Sequence, residues 1–143
     1  HGLETGLEAA CQCGTVKPGL TASYTYQRAM DKSDASSATW NHQLPYTPRH
    51  SASGVLFIET PYLNASCNLI YSGKYYCNSY NGPEYAMPSY YEAGCSLWKD
   101  IHMEQCDMCL KAECVNMTDS RYELVRNYPM PGRQLRVTLT LDL

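Results

Sequence analysis

The sequence predicts an all-β domain of the sandwich class, and three runs carry that prediction. Leu20 to Tyr26 (LTASYTY) alternates apolar and polar residues, Gly54 to Glu59 (GVLFIE) is a short apolar run of strand length, and Gln134 to Leu143 (QLRVTLTLDL) alternates strictly. In the last run Leu135, Val137, Leu139 and Leu141 share one face, while Arg136, Thr138, Thr140 and Asp142 share the other. A strand with one face on a core and one in solvent has this pattern.

Between these strands, Asp31 to Thr39, Asn78 to Tyr91 and Asn127 to Arg133 are rich in Pro, Gly, Ser, Asn and Tyr and read as loops. Helix is expected only in short pieces, Glu4 to Ala10 and Leu97 to Gln105. No repeat, linker or low-complexity tail interrupts the chain. At 143 residues it is expected to form a single domain, 1–143, around one core.

Lys and Arg number 11 against 14 Asp and Glu, a net charge of −3, and no basic run occurs. Nucleic acid and an anionic membrane surface both require concentrated positive charge, so neither is expected as a partner. No stretch approaches the roughly 20 apolar residues of a spanning helix, and the expectation is a soluble, monomeric protein.

Eight cysteines (11, 13, 67, 77, 95, 106, 109 and 114) predict about four disulfides and a secreted, extracellular protein. Eight cysteines allow 105 pairings. Cys11 and Cys13 are expected to find different distant partners, because so short a loop strains a bridge. Cys106-Asp107-Met108-Cys109 is a C-x-x-C, but zinc would want a second such pair, and none exists. Asn64-Ala65-Ser66 and Asn116-Met117-Thr118 fit the N-glycosylation sequon. Thirteen tyrosines against one phenylalanine suit stacking on sugar rings, and equally suit covering the core of a loop-rich domain.

The chain starts at His1, which a processed N-terminus would explain. A terminal histidine offers two nitrogen ligands, its α-amine and its imidazole Nδ1, and a second imidazole opposite them would complete a planar N₃ set favouring Cu(II). Of the remaining histidines, His42 and His102 lie in polar segments. His50 stands in a small-residue stretch directly before the Val55 to Ile58 run, where a rigid strand would fix it.

His1 and His50-Ser-Ala-Ser-Gly54-Val-Leu-Phe-Ile58 resemble the paired histidines of the lytic polysaccharide monooxygenases. Tyr128-Pro129, leading into the final strand, is similar to the axial tyrosine segment of the fungal members. Tyr122 is the alternative axial residue, and Arg126 stands where cellulose-active members often have Gln. The resemblance implies an immunoglobulin-like β-sandwich and one copper ion held by His1, His50 and Tyr128. It further implies an external electron donor, dioxygen or hydrogen peroxide as co-substrate, and oxidative cleavage of a polysaccharide. The small cysteine-rich, pectin-active oomycete group is the most similar. An anionic polygalacturonate would be met by Arg49, Arg126 and Arg133. Two rival expectations are a copper-binding protein without oxygenase activity and a disulfide-rich extracellular binding module.

Overall fold

Apolar and polar residues alternate with a period of two through β1 (Gly2–Ala10) and β11 (Gln134–Asp142) of the computed structural model, which describes residues 1–104 and 106–142. The strands are β1 (Gly2–Ala10), β2 (Lys17–Gln27), β3 (His50–Glu59), β4 (Asn64–Ser72), β5 (Tyr75–Tyr76), β6 (Ala86–Met87), β7 (Tyr90–His102), β8 (Asp107–Val115), β9 (Glu123–Val125), β10 (Tyr128–Pro129) and β11 (Gln134–Asp142). Seven of them form one antiparallel sheet in the order β1-β2-β3-β4-β7-β8-β11. Each strand of that sheet pairs with the strand that precedes it along the chain, an up-and-down order rather than the Greek-key crossing of an immunoglobulin domain.

The all-β, antiparallel expectation holds, and the three runs lie in β2, β3 and β11. Two ribbons, β5–β6 and β9–β10, give the molecule its sandwich-like character. Tyr122, just before β9, stacks on Tyr90 of β7, and this sets the β9–β10 segment against one end of the sheet.

The two segments expected to be helical are strands. Glu4 to Ala10 lies within β1, where Leu3, Thr5, Leu7 and Ala9 alternate with Gly2, Glu4, Gly6 and Glu8 and pair in register with β2. Leu97 to His102 belongs to β7, and Gln105 lies outside the described residues. Short windows with charged residues three or four apart mimic a helix face, but unbroken pairing of Leu97 to His102 with β8, and of Leu97 and Trp98 with β4 as well, decides for strand. Among the described residues the one helical piece is a 3-10 turn, Pro83–Tyr85.

Register divides the sheet into two faces of different chemistry. One carries Leu3 and Leu7, Leu20 and Tyr24, Leu56 and Ile58, Leu69 and Tyr71, Leu97 and Ile101, Met108 and Leu110, and Leu135 to Leu141 at every second residue. The other carries Glu4 and Glu8, Ser23 and Ser53, Ser66 and Ser96, Asp100 and Lys111, Glu113 and Arg136. On it the Ser23 and Ser53 hydroxyls meet at 2.8 Å, as do those of Ser66 and Ser96. Lys111 Nζ pairs with Glu113 Oε1 at 2.8 Å.

The expected single core is not what these strands build. Among the described residues only Tyr75 and Met87 are buried apolar side chains, and Leu135 and Val137 are 82% and 73% exposed. The GVLFIE run, strand-like as expected, is open to its surroundings, with Leu56 58% exposed.

The eight cysteines are free in this structure, so the four bridges expected from their number are not formed here. Cys11 and Cys13, expected to point to separate partners, lie with their sulfurs 3.9 Å apart. Of the two sequons, Asn116 is only 1% exposed, and its amide is bonded to the carbonyls of Ser120 (2.9 Å) and Pro131 (3.1 Å). The folded chain therefore has no free amide nitrogen to be glycosylated there.

Candidate functional site

The connections between strands are of two kinds, segregated to opposite ends of the sheet. The connections from β1 to β2, from β3 to β4 and from β7 to β8 are short and lie at one end, while 28–49, 73–89 and 116–133 make long loops at the other. All six residues expected to form a site, His1, Arg49, His50, Arg126, Tyr128 and Arg133, stand at the long-loop end, as does Tyr122.

The structure does not bring them together. His1 lies level with Arg28, whose N–H donates to the His1 carbonyl at 2.8 Å, and its amine faces the Arg28 carbonyl at 3.4 Å. His50 is level with Tyr26 on β3, with β2 between the two histidines. Two inter-strand steps are about 10 Å, and the two-residue stagger adds roughly 7 Å along the strands. The His50 ring is held by Tyr24 Oη, 2.8 Å from its Nδ1, and leans on Tyr26 with centroids 5.2 Å apart. Tyr128 is 72% exposed, in a loop that follows β8, three strand positions from β3. Among the described residues, no three His, Cys, Asp or Glu side chains converge as a metal site would require.

A built feature does exist at this end, between the 73–89 and 116–133 loops. Tyr75 Oη, deep in it, donates to the carbonyls of Glu123 (3.1 Å) and Leu124 (2.9 Å), tying the two ribbons together. Tyr122 lies flat on Tyr90, with ring centroids 4.2 Å apart and planes 5° from parallel, and its hydroxyl donates to Glu92 Oε2. Burial, and then the adjacent Glu92 carboxylate, push the Tyr122 hydroxyl well above its ordinary value, so it remains a donor throughout the accessible pH range. Beside it Met87, Arg121, Tyr122 and Arg126 line a cavity of about 450 Å³, with the Arg126 guanidinium 5.4 Å from the centre of the Tyr85 ring. Sequence reasoning singled out Arg126 and Tyr122 but missed Arg121, Tyr85 and Tyr90, because no short motif joins residues from two separate loops.

Charge is also segregated. The three long loops hold seven of the 11 basic residues, Arg28, Lys32, Arg49, Lys74, Arg121, Arg126 and Arg133, against five acidic ones, Asp31, Asp34, Glu84, Asp119 and Glu123. On a chain of net charge −3, this end is net positive. The aromatic side chains here sit under cations, as with Lys32 Nζ, 4.7 Å above the Trp40 ring.

The 28–49 loop is ordered by Asp31. Its Oδ1 accepts from Ser33 N (3.0 Å) and Ser33 Oγ (2.6 Å), and its Oδ2 accepts from Thr39 Oγ1 (2.8 Å). These donors hold the carboxyl at about 2, below its ordinary 3.8. A lowered value means that the ordering contributes fully above about pH 4 and fades as pH falls towards 2. The Asp31 carboxyl carbon should accordingly titrate near 2 in a carbon-detected NMR experiment, and Asp31→Asn should abolish the acid-dependent rise in amide exchange at Ser33.

No known protein family and no curated protein matches this chain. Among solved structures it is similar to BauA, the ferric preacinetobactin receptor from Acinetobacter baumannii, with a TM-score of 0.75 and 13% sequence identity. The match covers 99% of this chain and 26% of the receptor, so the chain spans about a quarter of that protein's length.

Proposed function

We propose that these seven strands form part of the wall of a membrane-spanning β-barrel, and that the long-loop end takes up an anionic cargo. One observation carries this reading: an up-and-down antiparallel sheet presents one mainly apolar face, with Lys99 near its short-turn end and His50 at its long-loop end, and a mainly polar face opposite it that also holds Val55, Phe57, Ile70 and Trp98. An isolated water-soluble domain rarely exposes apolar patches beyond a few hundred Å². In lipid the same face needs no cover, and the alternation is that of a barrel wall. The strands of the sheet run from 9 to 13 residues, against the 9–11 that a tilted strand needs to cross a bilayer. Short turns at one end and long loops at the other complete the pattern. Tyr24, Tyr26, Tyr71 and Tyr91 lie on the apolar face at its long-loop end, where a barrel carries an aromatic girdle.

This reading replaces the expectation of a soluble protein without a membrane partner. That expectation rested on the missing apolar 20-mer, which bears on helices alone. No described helix is long and apolar enough to cross a membrane. β1 and β11 stand at the margins of the sheet, and a wall in lipid must pair both, so the barrel includes further strands. The excess of cations among loop tyrosines suits an anionic cargo; the similar receptor is named for ferric preacinetobactin.

The experiment places a tryptophan on each face of β11 in turn. With the chain reconstituted in phosphatidylcholine vesicles, brominated acyl chains should quench Leu139→Trp strongly and Thr140→Trp no more than the native Trp40 and Trp98. Equal quenching of the two variants, or none at either, would overturn the proposal.

The copper monooxygenase reading has one observation in its favour. Tyr24 holds His50 Nδ1 and leaves Nε2 free, the nitrogen that the resemblance assigns to copper. Metal–imidazole bonds are about 2 Å long, however, and His1 and His50 do not converge to that extent. The residues as placed do not fit the brace. Calorimetry with Cu(II) on the chain and on a form extended by one N-terminal residue should give equal affinities. Tight binding lost on extension would restore His1 as a ligand.

A further inference from the structure

Three cysteines stand in one row across adjacent strands, Cys67 of β4 opposite Cys95 of β7, and Cys95 opposite Cys114 of β8. All three lie on the apolar face, and Cys95 could bond with either neighbour but not both. Backbone direction separates the two choices. In an antiparallel sheet the N–H and C=O of one residue point to the same neighbouring strand. Every residue is thus in a hydrogen-bonded pair on one side and a non-hydrogen-bonded pair on the other.

The Ala93 carbonyl accepts from Met117 N at 2.7 Å, so it points to the β8 side, and Cys95, two residues along, points the same way. From the opposite direction, the His50 carbonyl accepts from Gly73 N at 2.8 Å. That bond sets His50, Ala52, Gly54 and Leu56 in hydrogen-bonded register with β4, where Leu56 is opposite Cys67. Cys67 therefore directs its backbone groups to β3. Both observations make Cys67–Cys95 the non-hydrogen-bonded pair and Cys95–Cys114 the hydrogen-bonded one. Cα atoms are about 4.5 Å apart in the first kind and about 5.5 Å in the second, with side chains closer in the first. A disulfide needs its Cβ atoms roughly 3.8 Å apart, which the non-hydrogen-bonded site supplies with less movement of the strands.

We propose that Cys67 and Cys95 are a cross-strand redox pair, oxidised to a disulfide when the protein meets a small-molecule disulfide, and that Cys114 remains a thiol. The two thiols lose two protons and two electrons. The oxidant, a glutathione-type disulfide, takes them up as two thiols, and one S–S bond is exchanged for another. The bridge would clamp β4 to β7 within the sheet, five ladder positions from the Ser72–Tyr90 pair at which the 73–89 loop begins. The assignment rests on strand register alone, and its oxidation takes place on the chain in water, where the apolar face is open to the oxidant.

The test is peptide mapping without reduction. The folded chain is incubated with oxidised glutathione, its remaining thiols are alkylated, and the digest is read by mass spectrometry. The expected product is a Cys67–Cys95 linked peptide, two hydrogens lighter than its parts, with Cys114 alkylated. Cys114→Ser should leave the yield of that peptide unchanged. A Cys95–Cys114 linkage, or alkylation of both Cys67 and Cys95 after exhaustive oxidation, would overturn the assignment.

Discussion

Leu139→Arg should destabilise the protein in a phospholipid bilayer by about 2–4 kcal/mol, the cost of a guanidinium near the midplane of a lipid-facing wall. Thr138→Arg, one residue away on the opposite face, should change stability by no more than about 0.5 kcal/mol. Leu139 sits in the middle of β11, opposite Leu110, and is 56% exposed. In water so exposed a site would tolerate the arginine. Urea titration of the chain in vesicles and in detergent-free buffer separates the cases. Similar values for the two variants in lipid would mean that the apolar face does not meet acyl chains.

Asn116→Ala should cost about 2–4 kcal/mol and loosen the 116–133 loop. Its side chain accepts from Ser120 N (2.9 Å) and donates to the carbonyls of Ser120 and Pro131, which closes the loop on itself. Removing it takes the side-chain partner from three backbone groups, two on half-buried Ser120 and one on exposed Pro131, at about 1 kcal/mol each. Its backbone is also left-handed, with φ at 48°, a conformation asparagine tolerates better than alanine. Limited proteolysis should show new cleavage between residues 117 and 133, and hydrogen exchange should rise at Ser120. An unchanged exchange pattern would show that the β9–β10 ribbon and the Tyr75 bonds hold the loop without Asn116.

The strands of this protein were legible where alternation is strict and sequence-local, as in β11 and β2. β1 was misread because Glu4 and Glu8 lie four apart on either side of Leu7, a spacing equally at home on a helix; only its partner across the ladder resolves it. That only Tyr75 and Met87 are buried apolar side chains among the described residues was not legible in any one segment. A strand with one apolar face looks the same whether that face meets a second sheet or lipid, and only the sum of seven such faces on one side tells the two apart. Arg49, Arg126 and Arg133 were expected to flank one copper site; they stand on two separate long loops at one end of the sheet, with four more cations at that end. What could not be read was that His1 and His50 are separated by a strand, since chain order says nothing of lateral order in a sheet.

The up-and-down order has a consequence for how the chain assembles. Every long pairing joins strands that follow one another along the chain, so none of the seven waits for a distant segment. Closing the 28–49 connection costs about 1.5 kcal/mol more in chain entropy than closing a four-residue turn such as 60–63. The β1–β2, β3–β4 and β7–β8 hairpins should therefore form first, as independent nuclei, and the long loops should be drawn shut afterwards as those hairpins zip edge to edge. Changes of length within the long loops would then slow assembly only weakly, whereas a single inserted residue in 60–63 would shift the register of a nucleus and exchange its two faces.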